Sequence, residues 1–255
     1  MSNISSNCLF HFTSKAEFLI GILTNTFIPR YCYEETKLNS SFDRPKMMGA
    51  RPMVCFCDIS LSQINNHVKT YGDYGIGMTK EWGIRNKLNP LIYVNEGSEL
   101  ADAFSKMAST MFDLLDKNCN EYTRNAYDQF AKMSNFVKPY SGEIIMNSKP
   151  VNIRFYNERE WRFVPDVAND DNVSLILSKQ DFENPIKLAS ENIKLQNYKL
   201  KFTPDDIKYI FVKNDKEIHS MITALRQIKG DKFSPKILDL LASKILTTKQ
   251  IEEDF

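Results

Sequence analysis

Two glutamates, Glu158 and Glu160, stand two residues apart in the run Asn152-Ile-Arg-Phe-Tyr-Asn-Glu-Arg-Glu-Trp-Arg-Phe-Val164, with Arg154 and Arg162 on either side. The run alternates with period two. Residues 152–164 are therefore expected to be one strand, with Arg154, Tyr156, Glu158, Glu160 and Arg162 on one face and Ile153, Phe155, Trp161 and Phe163 on the other. Side chains on alternate strand residues lie about 6.5–7 Å apart. In a cleft, such a carboxylate pair can orient a hydroxyl or act as a general base. On an open sheet face it is an ordinary set of cross-strand ion pairs. A third chemical group, His11, sits in Leu9-Phe10-His11-Phe12-Thr13 and is one of three histidines. The other two, His67 and His219, fall on expected helices and read as structural. Trp82 and Trp161 read as core aromatics.

The elements that must position these residues follow from pattern. A strand is expected over 8–13. A helix over 14–24 would open on the capping box Ser14-Lys-Ala-Glu17 and close with Asn25 in the left-handed region. Residues 27–32 read as extended, and 34–51 as a polar loop carrying Lys37, Arg44, Lys46 and Arg51. Strand 52–59 leads to a second capping box, Ser60-Leu-Ser-Gln63, and a helix to about residue 70. A turn at 71–74, strand 75–78, short helix 82–87 and strand 91–94 come next. Helices over 98–117 and 121–137 have stripes at Leu100, Phe104, Met107, Met111, Leu114 and Leu115, then Tyr127, Phe130 and Met133. After 152–164 come strand 173–177, an extended stretch 198–202 and an N-cap at Thr203 followed by Pro204. Strand 208–212 and helices 215–228 and 235–246 end the chain. The expectation is one α+β domain over 1–255 with a helical insert at about 98–137.

Composition narrows the function. The 255 residues carry 33 Lys and Arg against 32 Asp and Glu, a net charge of +1, which excludes a strongly basic nucleic-acid coat but not a local basic patch. Only 9 glycines are present, with neither GxGxxG nor GxxxxGK[ST], so no Gly-rich phosphate loop is expected. The five cysteines have no disulfide rhythm and read as reduced thiols in a cytoplasmic protein. No ligand spacing suggests a metal, and no stretch reads as a leader or membrane span.

The opening strand and helix, with Leu9-Phe10-His11-Phe12-Thr13 before Phe18-Leu19 and Ile22-Leu23, resemble the DarT-like branch of the ADP-ribosyltransferase superfamily. This chain has Asn25-Thr26-Phe27 where that branch commonly has a glycine. Residues 9–30, 52–82 and 158–163 look more closely like the AbiGi-type abortive-infection family and related Glu-Trp-Arg domains. The superfamily resemblance implies a split, twisted sheet with inserted helices that holds NAD without a Rossmann fingerprint and without metal. It further implies a triad drawn from three strands. His11 matches its first position and Glu160 the catalytic carboxylate, with Glu158 as helper. Tyr71 or Tyr74 would fill the middle, with Phe56 a weaker match.

That residue set suits the implied chemistry. Cleaving the nicotinamide–ribose bond creates an oxocarbenium-like cation, which a carboxylate on the ribose 2′-hydroxyl stabilises. His11, with Thr13 beside it, would hold ribose hydroxyls. An aromatic ring would orient nicotinamide, and Arg30 or Arg51 would pair with pyrophosphate. Arg44 and Lys46, flanked by Tyr31, Tyr33 and Phe42, would grip a nucleic-acid acceptor, RNA rather than DNA. The resemblance thus implies an NAD-consuming toxin of anti-phage defence with a cognate antitoxin, alone or with a chaperone. Two alternatives differ in class: a non-enzymatic antitoxin or interaction module on the same fold, and an NAD glycohydrolase.

Overall fold

The computed structural model describes residues 6–35, 48–146, 149–168 and 170–254. It is a mixed α+β structure whose chain divides into two compact units. The first comprises residues 1–28, 54–89 and 198–255, and the second residues 29–53 and 90–197.

The first unit is built on antiparallel strands. Cys8–Thr13 pairs along its whole length with Tyr74–Thr79, which places His11 opposite Ile76. Tyr74–Thr79 pairs in turn with Ile207–Val212, and that strand takes Ile245–Thr247 as a parallel neighbour. On the other side Phe10 faces Cys57. Alternation sorts the first strand. Cys8 and Phe10 join Cys57, Ile59, Ile64, Phe211 and Ile251 in one apolar cluster. His11 packs instead against Phe27 and Phe56, at centroid distances of 5.4 and 5.6 Å, and both of those rings also touch buried Trp82. The helix Ile64–Tyr71 ends at Gly72, whose φ of 113° belongs to glycine. A Cβ there would come within 2.4 Å of Ser14 Cα and the Thr13 carbonyl.

Helix ends in this unit differ from the expected ones. The helix Ala16–Asn25 starts after Lys15, with no side-chain cap. Glu17 is then its second residue and cannot reach back as the third position of a capping box. Thr26, not Asn25, adopts the positive φ, at 67°. Ser60 bonds Ser62 across 2.8 Å rather than capping a helix. Thr203 does cap Pro204–Asp206, with the reciprocal Asp206 bond in place.

In the second unit Arg30–Glu35 pairs antiparallel with the start of Met48–Cys57, Cys32 facing Arg51. Ile92–Val94 and Val137–Pro139 form a parallel pair in which Tyr93 faces Lys138. Parallel neighbours need a crossover. It is supplied by the helices Glu99–Lys117, capped by Ser98, and Glu121–Ser134, opened by an Asn120–Thr123 capping box. Val94, Ala101, Phe104, Ala108, Phe130 and Val137 form their shared core. The stripe expected to be buried divides: Phe104 points inward, while Leu100, Met107 and Leu114 are exposed. Small Ala101, Ser105 and Ala108 take the inner face, because they let the helices approach closely.

Two further corrections concern strands. Residues 173–177 form no strand; Leu177 makes only an isolated bridge to Ala50. Residues 152–164 are not one strand either. Lys149–Ile153 ends a hairpin with Gly142–Met146, Phe155–Glu158 forms a 3-10 turn, and Glu160–Phe163 is a separate strand. Arg159 closes the turn with φ 44° and ψ 49°, so the two-residue alternation breaks between the glutamates.

Candidate functional site

The broken strand still brings the two glutamates together, by a different route. The parallel pair fixes Lys138 beside Tyr93, and the Tyr93 hydroxyl accepts the Glu160 backbone N–H at 2.8 Å. Lys138 Nζ donates to Glu158 Oε2 at 2.8 Å and to Glu160 Oε2 at 2.7 Å. The other Glu160 oxygen accepts Arg162 Nε at 2.6 Å. Arg162 also donates Nη1 to the Asn135 carbonyl at 2.8 Å and Nη2 to Glu34. Glu34, Arg162, Glu160, Lys138 and Glu158 are thus one chain of charges. Glu160 and Arg162 are buried, 6% and 1% exposed, so these are not the solvated pairs of an open sheet face.

Aromatic rings flank part of this chain. Lys138 Nζ lies 4.7 Å from the Phe155 centroid, and Tyr156 packs against Tyr93 and Tyr140. In such surroundings a lone ion is disfavoured and a paired one is held firmly. Burial pushes the Glu160 carboxyl up, but Arg162 and Lys138 outweigh it and set the pKa at about 2. Burial pulls Lys138 down, yet Glu160, Glu158 and Glu34 raise it above the usual lysine range. Both groups stay charged across the physiological range. The Cys32 thiol, raised to about 11 by burial and by Glu34, is a poor nucleophile.

The remaining residues singled out from sequence are placed as follows. His11, half-buried in the first unit, has Nδ1 2.8 Å from the Cys55 carbonyl. A carbonyl only accepts, so Nδ1 carries the proton and the neutral ring keeps Nε2 as an acceptor. Burial lowers its pKa, against the raising effect of that bond. Thr13 donates its hydroxyl to the Lys15 carbonyl at 3.1 Å. Tyr74 donates to Glu217 at 3.0 Å, and burial with that carboxylate raises its phenol to about 12. Tyr71, partly exposed, packs near His67. Arg30 is exposed, and Arg51 is half-buried with its pKa lowered by desolvation. Arg44 and Lys46, with Lys37 and Phe42, lie outside the described residues.

The residues named for NAD are therefore divided: His11, Thr13, Tyr71 and Tyr74 belong to the first unit, and Arg30, Arg51, Glu158 and Glu160 to the second. Both Glu160 oxygens accept hydrogen bonds from protein cations. Sequence reading missed Lys138 and Glu34, the partners that decide the state of Glu160 and Arg162. Lys138 lies between Val137 and Pro139 with no charged neighbour to mark it, and Glu34 read as the start of a loop.

A family model described as "Putative abortive phage resistance protein AbiGi, antitoxin" matches residues 25–213. The span contains all five members of the charge chain and leaves out His11 and Thr13. The chain is also 30% identical over 250 residues to an abortive phage resistance protein AbiGi of Lactococcus lactis subsp. cremoris, with 90% of this chain and 99% of that protein covered. No solved structure matches. No helix among the described residues is long and apolar enough to cross a membrane.

Proposed function

The chain belongs to the AbiGi family of abortive phage resistance proteins, and from that membership we propose that it acts as the antitoxin of an anti-phage defence pair, restraining a protein toxin by binding it and without catalysis of its own. The observation that carries this reading is the state of Glu160. Its two oxygens hold Lys138 and Arg162, so the group that a transferase would turn to its substrate serves here as an internal strut. The family description, which includes the word antitoxin, supports the same reading.

The test is growth. The chain expressed alone should be harmless, and it should restore growth to cells expressing the toxin encoded beside it. The two proteins should also purify together. Toxicity of the chain alone would overturn the reading.

An NAD-dependent transferase on this chain is the second reading, resting on the His11 and Glu158-x-Glu160 resemblance. It requires a Glu160 oxygen to accept a ribose hydroxyl beside or in place of its ion pairs. Labelled NAD incubated with purified protein and RNA separates the readings: transfer abolished by Glu160→Gln would select the transferase. Release of free ADP-ribose without an acceptor would select a glycohydrolase.

A further inference from the structure

The second unit contains a cavity of about 210 Å³ that the charge chain does not use. Phe112 and Tyr127 meet at 5.4 Å in its wall and, with Phe130, Val164 and Val167, make that wall largely apolar. Among the described residues the lining also holds two cations, Arg51 and Lys132, and two carboxylates, Asp128 and Asp166, whose signs cancel. Lys132 pairs with Asp166 at 3.2 Å. Asp128 lies in the field of Arg124, one turn earlier on the same helix, and Arg51 is engaged within the protein and in the field of Glu34. An acid entering here meets two carboxylates as well as the cations, and a base meets two cations, so neither sign of charge is favoured. The uncharged polar groups differ. The Ser134 hydroxyl is used on the Ala131 carbonyl, whereas the side chains of Tyr127 and Asn135 make no hydrogen bond among the described residues. Of these two, Tyr127 belongs to the aromatic wall itself. It is half-buried, and burial raises its pKa, so at neutral pH it is a phenol that can both donate and accept. A half-buried hydroxyl without a partner gains from a ligand that supplies one.

Size, wall chemistry and charge balance together define a ligand class. An apolar cavity of about 150 Å³ holds a benzene ring. The larger volume here suits a fused two-ring system, and aromatic walls favour a flat partner. We propose that this cavity binds a small, uncharged, two-ring aromatic molecule carrying one hydroxyl or ring N–H, its rings against Phe112, Phe130 and Val167 and that group hydrogen-bonded to the Tyr127 hydroxyl. Such a ligand needs none of the Arg51 donors and no charged partner. The site is independent of the antitoxin reading, since its walls exist whether or not the chain restrains a toxin.

The probe is 2-naphthol, uncharged at neutral pH, titrated into the full chain and followed by its own fluorescence. 2-Methylnaphthalene has nearly the same shape without the hydroxyl, and 2-naphthoate adds a charge. Naphthol should bind and raise Tm. Naphthoate should bind about tenfold more weakly, since burying a charge without its own partner costs more than burying a hydroxyl. Tyr127→Phe keeps the ring and should weaken naphthol about fivefold, the worth of one neutral hydrogen bond, while changing 2-methylnaphthalene little. Ala131→Phe, which fills the cavity, should abolish binding of both. Because that variant adds bulk beside packed helices, the wild-type complex gives a second measurement: naphthol protons should show nuclear Overhauser effects to the methyls of Val164 and Val167. No binding at millimolar naphthol, naphthoate bound as tightly as naphthol, equal affinity in Tyr127→Phe, or contacts only to methyls elsewhere would each overturn the proposal.

Discussion

The two units treat a titratable side chain in opposite ways. In the first, His11 sits against Phe27 and Phe56 with no ion pair among the described residues, and desolvation favours its neutral ring. In the second, Glu160 is held between Arg162 and Lys138, and remains an anion although it is buried. The difference lies in what the neighbouring elements deliver. Apolar faces of antiparallel strands deliver rings, and a ring removes charge. The parallel pair Ile92–Val94 and Val137–Pro139 delivers an ammonium, and an ammonium preserves it. A chemically suggestive residue can therefore be a strut, and its partners decide which.

The comparison breaks most visibly at Arg162. Arg162→Ala leaves Glu34 and Glu160 without their shared cation in a buried setting and should cost about 3–5 kcal/mol in urea unfolding. A loss below about 1 kcal/mol would show that the network is not buried as described. Glu160→Gln keeps the shape, leaves Arg162 on Glu34 and Lys138 on Glu158, and should cost less, about 1–3 kcal/mol.

Acid should separate the two regions. The folded pKa of Glu160, about 2, lies below its ordinary 4.5, so its contribution is complete above pH 4.5 and is lost as pH falls from there toward 2. The pKa of His11 is also lowered, from 6.5. For a base this means that the unfolded chain takes up the proton first, so stability declines as pH drops below 6.5. Stability measured against pH should show both limbs. His11→Phe should flatten the upper limb and Glu160→Gln the lower. A single limb, unchanged by either substitution, would remove the contrast.

Smaller effects sharpen it. At neutral pH His11→Phe keeps a ring among rings and loses one hydrogen bond to the Cys55 carbonyl, a cost of about 1–2 kcal/mol by thermal unfolding. Tyr74→Phe removes a bond to Glu217 near the surface and should cost about 0.5–1.5 kcal/mol.

Much of the fold was legible where period and composition agreed. Cys8–Thr13, Tyr74–Thr79 and Ile207–Val212 lie close to the expected strands, and Glu99–Lys117 and Glu121–Ser134 close to the expected helices. Pro185–Lys194 was legible but missed: Asn184 caps it and Pro185 opens it, a standard start signal. The site was less accessible. Arg159 in the left-handed region breaks a strand whose alternation looked continuous, and no residue type there announces it. The partners of Glu160 and Arg162 are also distant: Lys138 is 22 residues from Glu160, and Glu34 is 128 from Arg162. Periodicity orders faces within an element. It does not say which charges from separate elements will meet, and here those meetings set the chemistry.

The central proposal is that Glu160 supports the fold of an antitoxin and performs no catalysis. The most direct measurement is survival of cells expressing the neighbouring toxin together with either the wild-type chain or Glu160→Gln, at matched levels of folded protein. Equal protection by both is the predicted result. A folded Glu160→Gln chain that no longer protects, or a wild-type chain that kills by itself and is disarmed by the substitution, would contradict it.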